Sequence, residues 1–98
     1  MPEIHLFSDV ADFINRLSES DAAKVYAHIE ALKRGYGETL IIKSLKGKIK
    51  EIVVRQYRIV FFQIADTIYI ADVFKKQSKK TPKRIIEKAE RMRKQVNR

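Results

Sequence analysis

This sequence predicts an α+β fold: two N-terminal helices forming an antiparallel hairpin, a curved antiparallel sheet of three to four strands, and a basic C-terminal helix. Three observations carry the prediction. Apolar residues recur at helical spacing before Gly35, β-branched and aromatic residues dominate after Gly35-Tyr36-Gly37, and helical spacing returns after Thr81-Pro82. The 98 residues fit one domain spanning 1–98, and 45% hydrophobic residues suffice for one core. No internal repeat, low-complexity run or interdomain linker interrupts the chain.

Ser8 is placed to cap a first helix, whose apolar positions Val10, Phe13, Ile14 and Leu17 fall at i, i+3, i+4 and i+7. A second helix, capped by Ser18 or Ser20, aligns Ala22, Val25, Ile29 and Leu32 on one stripe. It ends near Gly35, where Lys33 and Arg34 meet the negative end of the helix dipole. The short link between the helices implies that they pack as a hairpin. Strands are expected over Ile49–Val54, Tyr57–Ile64 and Thr67–Phe74. Ala65-Asp66 reads as a hairpin turn. Arg55-Gln56 lacks Gly, Asn or Asp, so a turn and a bent continuous strand both fit there. Thr81 as N-cap and Pro82 as first helical residue begin a third helix. That helix turns Ile85, Ile86, Ala89, Met92 and Val96 inward, and Lys83, Arg84, Lys88, Arg91, Arg93 and Lys94 outward.

Charge is distributed unevenly. Residues 1–42 carry a net −3, residues 43–74 a net +3 and residues 75–98 a net +9, so the last quarter holds an excess equal to the whole chain's +9. Such a block repels itself unless a polyanion or an acidic partner sits nearby. Several function classes fall away. Zero cysteines exclude a disulfide framework and Cys-ligated metal. There is no phosphate-cradling glycine loop, His cluster or nucleophilic-serine elbow, and no cofactor is implied. His5 and His28 lie in the acidic third, and His28, next to the stripe residue Ile29, reads as a surface residue. Apolar runs such as Ile59-Val60-Phe61-Phe62 are far shorter than the roughly 20 residues of a membrane span. Nor does the start resemble a signal peptide, so a cytoplasmic location without a membrane partner is expected.

The candidate site is a group of bases on and around the sheet. Arg55 and Arg58 flank Tyr57 on the middle strand, and Lys75, Lys76, Lys79, Lys80 and Lys83 run from the last strand into the third helix. Lys46 and Lys48 precede the first strand. Neighbouring strands lie about 5 Å apart, which lets the turn after Phe74 approach the middle strand and form a hollow suited to a phosphodiester. A lysine crowded by other cations gives up its proton more readily. It could then serve as a general acid or base for attack of a ribose 2′-hydroxyl on its own phosphate, while arginines stabilise the phosphoryl oxygens. The alternative is structural: Arg55 and Arg58 paired with Glu51 and Asp72 across the sheet. Tyr57, Tyr69, Phe61 and Phe62 are the rings the strands offer for stacking, and most of them belong to the core.

Four stretches taken together resemble the RelE/ParE toxin superfamily, and within it the HigB-like, phage-derived branch. They are Ser44-Leu45-Lys46-Gly47, Lys50-Glu51-Ile52, Tyr57-Arg58-Ile59-Val60-Phe61, and Phe74-Lys75-Lys76 through Lys80-Thr81-Pro82-Lys83. The resemblance covers about residues 8–95. It implies the toxin of a type II toxin–antitoxin pair, a metal-independent, ribosome-dependent mRNA endoribonuclease that inhibits translation. Its partners would be mRNA on the ribosome and a helix-turn-helix, HigA-like antitoxin, with no small-molecule cofactor. It further implies that Arg58 contacts the scissile phosphate and that Lys76 and Lys80 bind or activate the RNA. Arg55 would assist them, Lys46, Lys48, Lys75, Lys79 and Lys83 would hold the strand, and Glu51 or Asp72 would act as acid, base or orienting group. The chain departs from the family pattern at Val53, where an arginine is common, at Asp72, where some relatives carry histidine, and at Gln77, where a second lysine is usual. Two other readings stand beside this one: a ParE-like inhibitor of DNA gyrase and a non-catalytic nucleic-acid-binding module.

Overall fold

The computed structural model describes residues 2–97. Five strands form one sheet in the order β1-β5-β4-β3-β2. β3 (Ile49–Val54), β4 (Tyr57–Ile64) and β5 (Thr67–Lys75) are the strands read from the sequence, β5 being one residue longer. β2 (Ile42–Lys46) adds an antiparallel edge strand, and β1 (Glu3–Leu6) adds a parallel one against β5. The sheet is therefore mixed and five-stranded, which corrects the expected antiparallel sheet of three to four strands. β1 escapes a periodicity reading because four residues with half-buried Ile4 and Leu6 carry little pattern, and their partner lies over sixty residues away.

Two-residue turns join β2 to β3, β3 to β4 and β4 to β5. Each begins with a residue in the left-handed region: Gly47 at φ 54°, Arg55 at 54° and Ala65 at 53°. Arg55-Gln56 is thus a hairpin turn, and the bent continuous strand is not adopted. Only the first of these turns has the glycine that this conformation favours.

Helix α1 (Ser8–Asn15) starts one residue earlier than expected: Phe7 is its N-cap residue, and the Ser8 side chain caps nothing. α2 (Glu19–Lys33) does have its serine cap, with Ser18 Oγ accepting from the Asp21 amide at 3.2 Å. It closes on Gly35 at φ 84°. The Gly35 amide donates to Leu32 and the Tyr36 amide to Ala31, so the last carbonyls are satisfied in a Schellman motif. The expected helical hairpin gives way to sheet packing: α1 rests chiefly on β5 and α2 on β3, each more than on the other. Sheet residues offer a broader apolar surface than the narrow stripes of two short helices.

α3 (Lys83–Val96) covers the opposite face, starting one residue later than expected, with Pro82 as its N-cap residue. Two cores result. On the α1/α2 face, Val10, Ile14, Val25 and Ile29 pack against Ile52, Val54, Ile59, Ile68, Ile70 and Val73. On the α3 face, Ile85 and Ala89 pack against Ile49, Val60, Phe62 and Ala71. No helix among the described residues is long and apolar enough to cross a membrane.

Candidate nucleic-acid interface

The α3 face holds the buried charge. Glu51 and Arg58 are 3% and 9% exposed, and both lie on this face. Paired residues in neighbouring strands share a face, and the register aligns Lys43 with Glu51, Glu51 with Val60, and Val60 with Asp72. Val53, Arg58 and Phe74 form the next row.

An open hollow of about 280 Å³ lies over the first row, between β2, β3, the loop after β5 and the first turns of α3. Lys43, Ser44 and Leu45 form one wall, Lys76, Lys79, Lys80 and Thr81 the other, with Glu51 and Ile86 between them. The loop is tied at both ends. The Lys76 amide donates to the Gln56 carbonyl at 2.7 Å, and the Thr81 hydroxyl donates to Glu51 Oε1. Thr81 thus holds the loop to β3 rather than capping α3. A concave surface with four ammonium groups against one carboxylate concentrates positive potential and attracts an anion. Lys43, Lys79 and Lys80 are exposed and free to reach a ligand, while Lys76 is half-buried.

Of the residues singled out in the sequence, Lys76, Lys79, Lys80 and Glu51 meet in this hollow. Arg58 sits on the same face, two residues along β4 from Val60, but does not line the hollow. Its Nη1 donates to the carbonyls of Arg55 and Tyr57, both at 2.7 Å, and its Nε is buried without a partner. The β3–β4 turn is thereby committed at three successive carbonyls, two to Arg58 and the middle one to the Lys76 amide. Arg58 braces the turn from which the lysine loop hangs. Arg55 is exposed on that turn.

The remaining bases lie elsewhere. Lys46 and Lys48 border a smaller hollow of about 110 Å³ beside the C-terminal half of α3, and Lys46 pairs with Glu90 at 3.5 Å. Lys75 lies on the other flank of the loop, and Lys83 is exposed at the start of α3. The cross-sheet pairing of arginines with Glu51 and Asp72 is not made among the described residues. Glu51 is engaged by Thr81. Asp72 faces Lys88 at 3.7 Å, and Lys88 also reaches Asp9 of α1 at 2.7 Å. Burial pushes the Asp72 carboxyl above its ordinary range, against the pull of Lys88, whereas the Lys88 hydrogen bond holds Asp9 below it.

Lys43 is the lining residue that sequence reasoning missed. A two-residue turn at Gly47-Lys48 with regular pairing would set Ser44, not Lys43, opposite Glu51. An irregularity between Ser44 and Lys46 shifts the pairing by one and turns Lys43 to the hollow.

Comparison with known proteins agrees with this architecture. No curated protein matches the chain in sequence. Among solved structures, a chain of the archaeal RelE–RelB complex from Pyrococcus horikoshii OT3 superposes with a TM-score of 0.66 at 12% identity, covering 76% of this chain and 93% of that one. A copper-bound mutant toxin from Helicobacter pylori gives 0.57 at 15% identity, covering 76% and 94%. At these identities the likeness is one of fold. The family model described as "Phage derived protein Gp49-like (DUF891)" matches residues 12–94, which span every strand lining the hollow, the lysine loop and nearly all of α3. The chain belongs to this phage-derived Gp49-like family and carries the RelE-type toxin fold.

Proposed function

We propose that the chain is the toxin of a type II toxin–antitoxin pair and cleaves mRNA on the ribosome without a metal. The supporting observation is the single hollow that gathers Lys43, Lys76, Lys79 and Lys80 around the buried Glu51. In this reading a phosphodiester enters the hollow and its non-bridging oxygens meet the ammonium groups. Glu51, oriented by the Thr81 hydroxyl, accepts the proton of the ribose 2′-hydroxyl as that oxygen attacks phosphorus. Lys76 or Lys80 returns a proton to the departing 5′-oxygen, leaving a 2′,3′-cyclic phosphate and a free 5′-hydroxyl. The lysines stabilise the charge that grows on the phosphoryl oxygens, a contribution commonly worth about 10²–10³-fold per donor. Arg58 acts through the turn it braces, as a positioning residue. The structural likeness to the RelE–RelB complex supports an antitoxin as protein partner.

The test is controlled expression with transcriptome-wide mapping of mRNA ends. The expected outcome is growth arrest with cuts inside translated messages, and both effects fall about 100-fold in Lys76→Ala at an unchanged melting temperature. Arrest with DNA breaks and intact messages would transfer the proposal to a gyrase inhibitor. RNA binding with neither arrest nor cuts would leave a non-catalytic module.

A further inference from the structure

The loop between β5 and α3 has two flanks. Lys76, Lys79, Lys80 and Thr81 turn to the lysine hollow. Lys75, Gln77, Ser78 and Pro82 turn to a second cavity of about 260 Å³, closed by Phe13, Phe74 and Arg84. The loop is a partition, and consecutive residues 75, 76 and 77 point to alternate sides of it. The chemistry differs across the wall. The second cavity has two half-buried phenyl rings and a proline ring, one amide and one hydroxyl side chain, two exposed cations and no acid in its lining.

We propose that this second cavity receives an unpaired nucleobase of the same RNA strand whose phosphate enters the lysine hollow. The inference rests on the reading of that hollow as an RNA site. A nucleobase is a flat π system with a polar edge, and both halves find a match. Phe13, Phe74 and Pro82 supply apolar faces, and the Arg84 guanidinium is a plane that stacks on bases. Gln77 carries a donor and an acceptor for the base edge. The Ser78 hydroxyl donates to the Lys80 carbonyl at 2.8 Å, which leaves its oxygen free to accept.

Charge separates a base from the other occupant such a cavity could take, an apolar side chain of a protein partner. An apolar anchor gains nothing from Lys75 and Arg84, whereas each base arrives with its own phosphate. The platform is also preformed. The Phe13 ring stands edge-on to Tyr57 at 6.4 Å, and the Tyr57 hydroxyl is anchored on Asp21 at 2.8 Å. Little ordering is then required on binding. Gln77 in place of a further lysine suits this flank, where an amide reads a base edge that an ammonium would read only by its donors.

The experiment uses the purified full chain and two single-stranded RNA hexamers with 2′-fluoro sugars, which lack the attacking hydroxyl and so bind without being cut. One carries 2-aminopurine at a central position; the other is abasic there. Affinity is read by the fluorescence of the first and by competition for the second. Gln77→Ala and Phe13→Leu, the latter keeping an apolar residue in α1, are each expected to weaken the base-bearing hexamer about tenfold and leave the abasic one unchanged. Lys80→Ala is expected to weaken both. Equal effects of Gln77→Ala and Phe13→Leu on the two hexamers, or no effect on either, would overturn the base assignment while the Lys80→Ala result upholds the lysine hollow. No binding to either hexamer, or no loss in Lys80→Ala, would overturn both the base assignment and the lysine hollow as an RNA site of the free protein.

Discussion

Between β3 and β5 the sheet presents Ile52, Val54, Ile59, Ile68, Ile70 and Val73 to α1 and α2, but Glu51, Arg58, Val60, Asp72 and Phe74 to α3. The first face is an apolar seam, whose polar contact is the Tyr57 hydroxyl on Asp21 near its end. The second mixes core and charge within a few residues, and each buried or half-buried charge there has a local reason to stay. Glu51 has Thr81, Arg58 has two turn carbonyls, and Asp72 has Lys88. Burying charge costs free energy that a hydrophobic pair would not, and satisfying its hydrogen bonds only limits that cost. The comparison teaches a division of labour: one face secures the fold, and the other tolerates a less favourable interior so that a cationic hollow can be held open.

Five substitutions test this contrast. The largest effect on stability is expected from Ile14→Ala on the dry face, where a fully buried side chain leaves a cavity. Urea unfolding should show a loss of about 2–5 kcal/mol, with the proposed RNA cleavage per folded molecule unchanged. A fall in cleavage beyond the folded fraction would mean that the two faces are not separable.

Arg58→Ala on the polar face should cost less, about 1–3 kcal/mol, because it strips a charged donor from two turn carbonyls. The proposed cleavage activity should fall by more than the lost stability explains, since the Lys76 amide hangs from the same turn. Complete loss of cleavage at an unchanged melting point would instead place Arg58 on the substrate.

Next is Ala65→Gly, at the β4–β5 turn and remote from the hollow. Relief of the left-handed backbone should raise stability by about 0.5–1 kcal/mol in the same unfolding measurement, and a destabilised variant would refute strain at this turn.

The smallest effect is a matter of pH. Burial raises the Asp72 carboxyl above 3.8, so the native state binds its proton more tightly than the unfolded chain does. Stability therefore declines as pH rises from 3.8 through the raised folded value. Asp72→Asn removes that penalty and keeps an Oδ1 to accept the Val73 amide, as Asp72 does at 3.0 Å. Its unfolding midpoint should exceed that of the parent at pH 7, and the difference should close as pH falls toward 3.8. Asp9→Asn should do the reverse. The folded Asp9 is held below 3.8, so its contribution is present above that value and lost as pH falls through the lowered one. A lower midpoint for Asp72→Asn at pH 7 would show that its ion pair with Lys88 outweighs the cost of burial.

Much of this architecture was legible in residue order alone. The limits of β3 and β4 follow from β-branched runs between turns, the end of α2 from Gly35, and the inward stripe of α3 from Ile85, Ala89 and Met92. Charge counting located the lysine loop, because eleven bases within the last quarter of the chain need no structure to be seen. These features are local: propensity, period and capping act within a few residues, so a short window contains their cause.

Facing is another matter. Strict alternation along β5 would set Asp72 beside Ile68 and Ile70 on the dry face. The bulge that leaves Ala71 unpaired between Val60↔Asp72 and Phe61↔Ile70 resets the count, sending Val73 to the dry core and Asp72 to Lys88. The same one-residue slip in β2 delivers Lys43 to Glu51. By itself, then, the sequence determined the three helices, the strands β3, β4 and β5, and where the cations cluster along the chain. Only the tertiary structure decided which side of the sheet each group meets, how β1 joins in parallel, and that α3 lies opposite α1 and α2. A period-two pattern is inverted by a single extra residue, and whether that residue bulges depends on a partner strand that no local window contains.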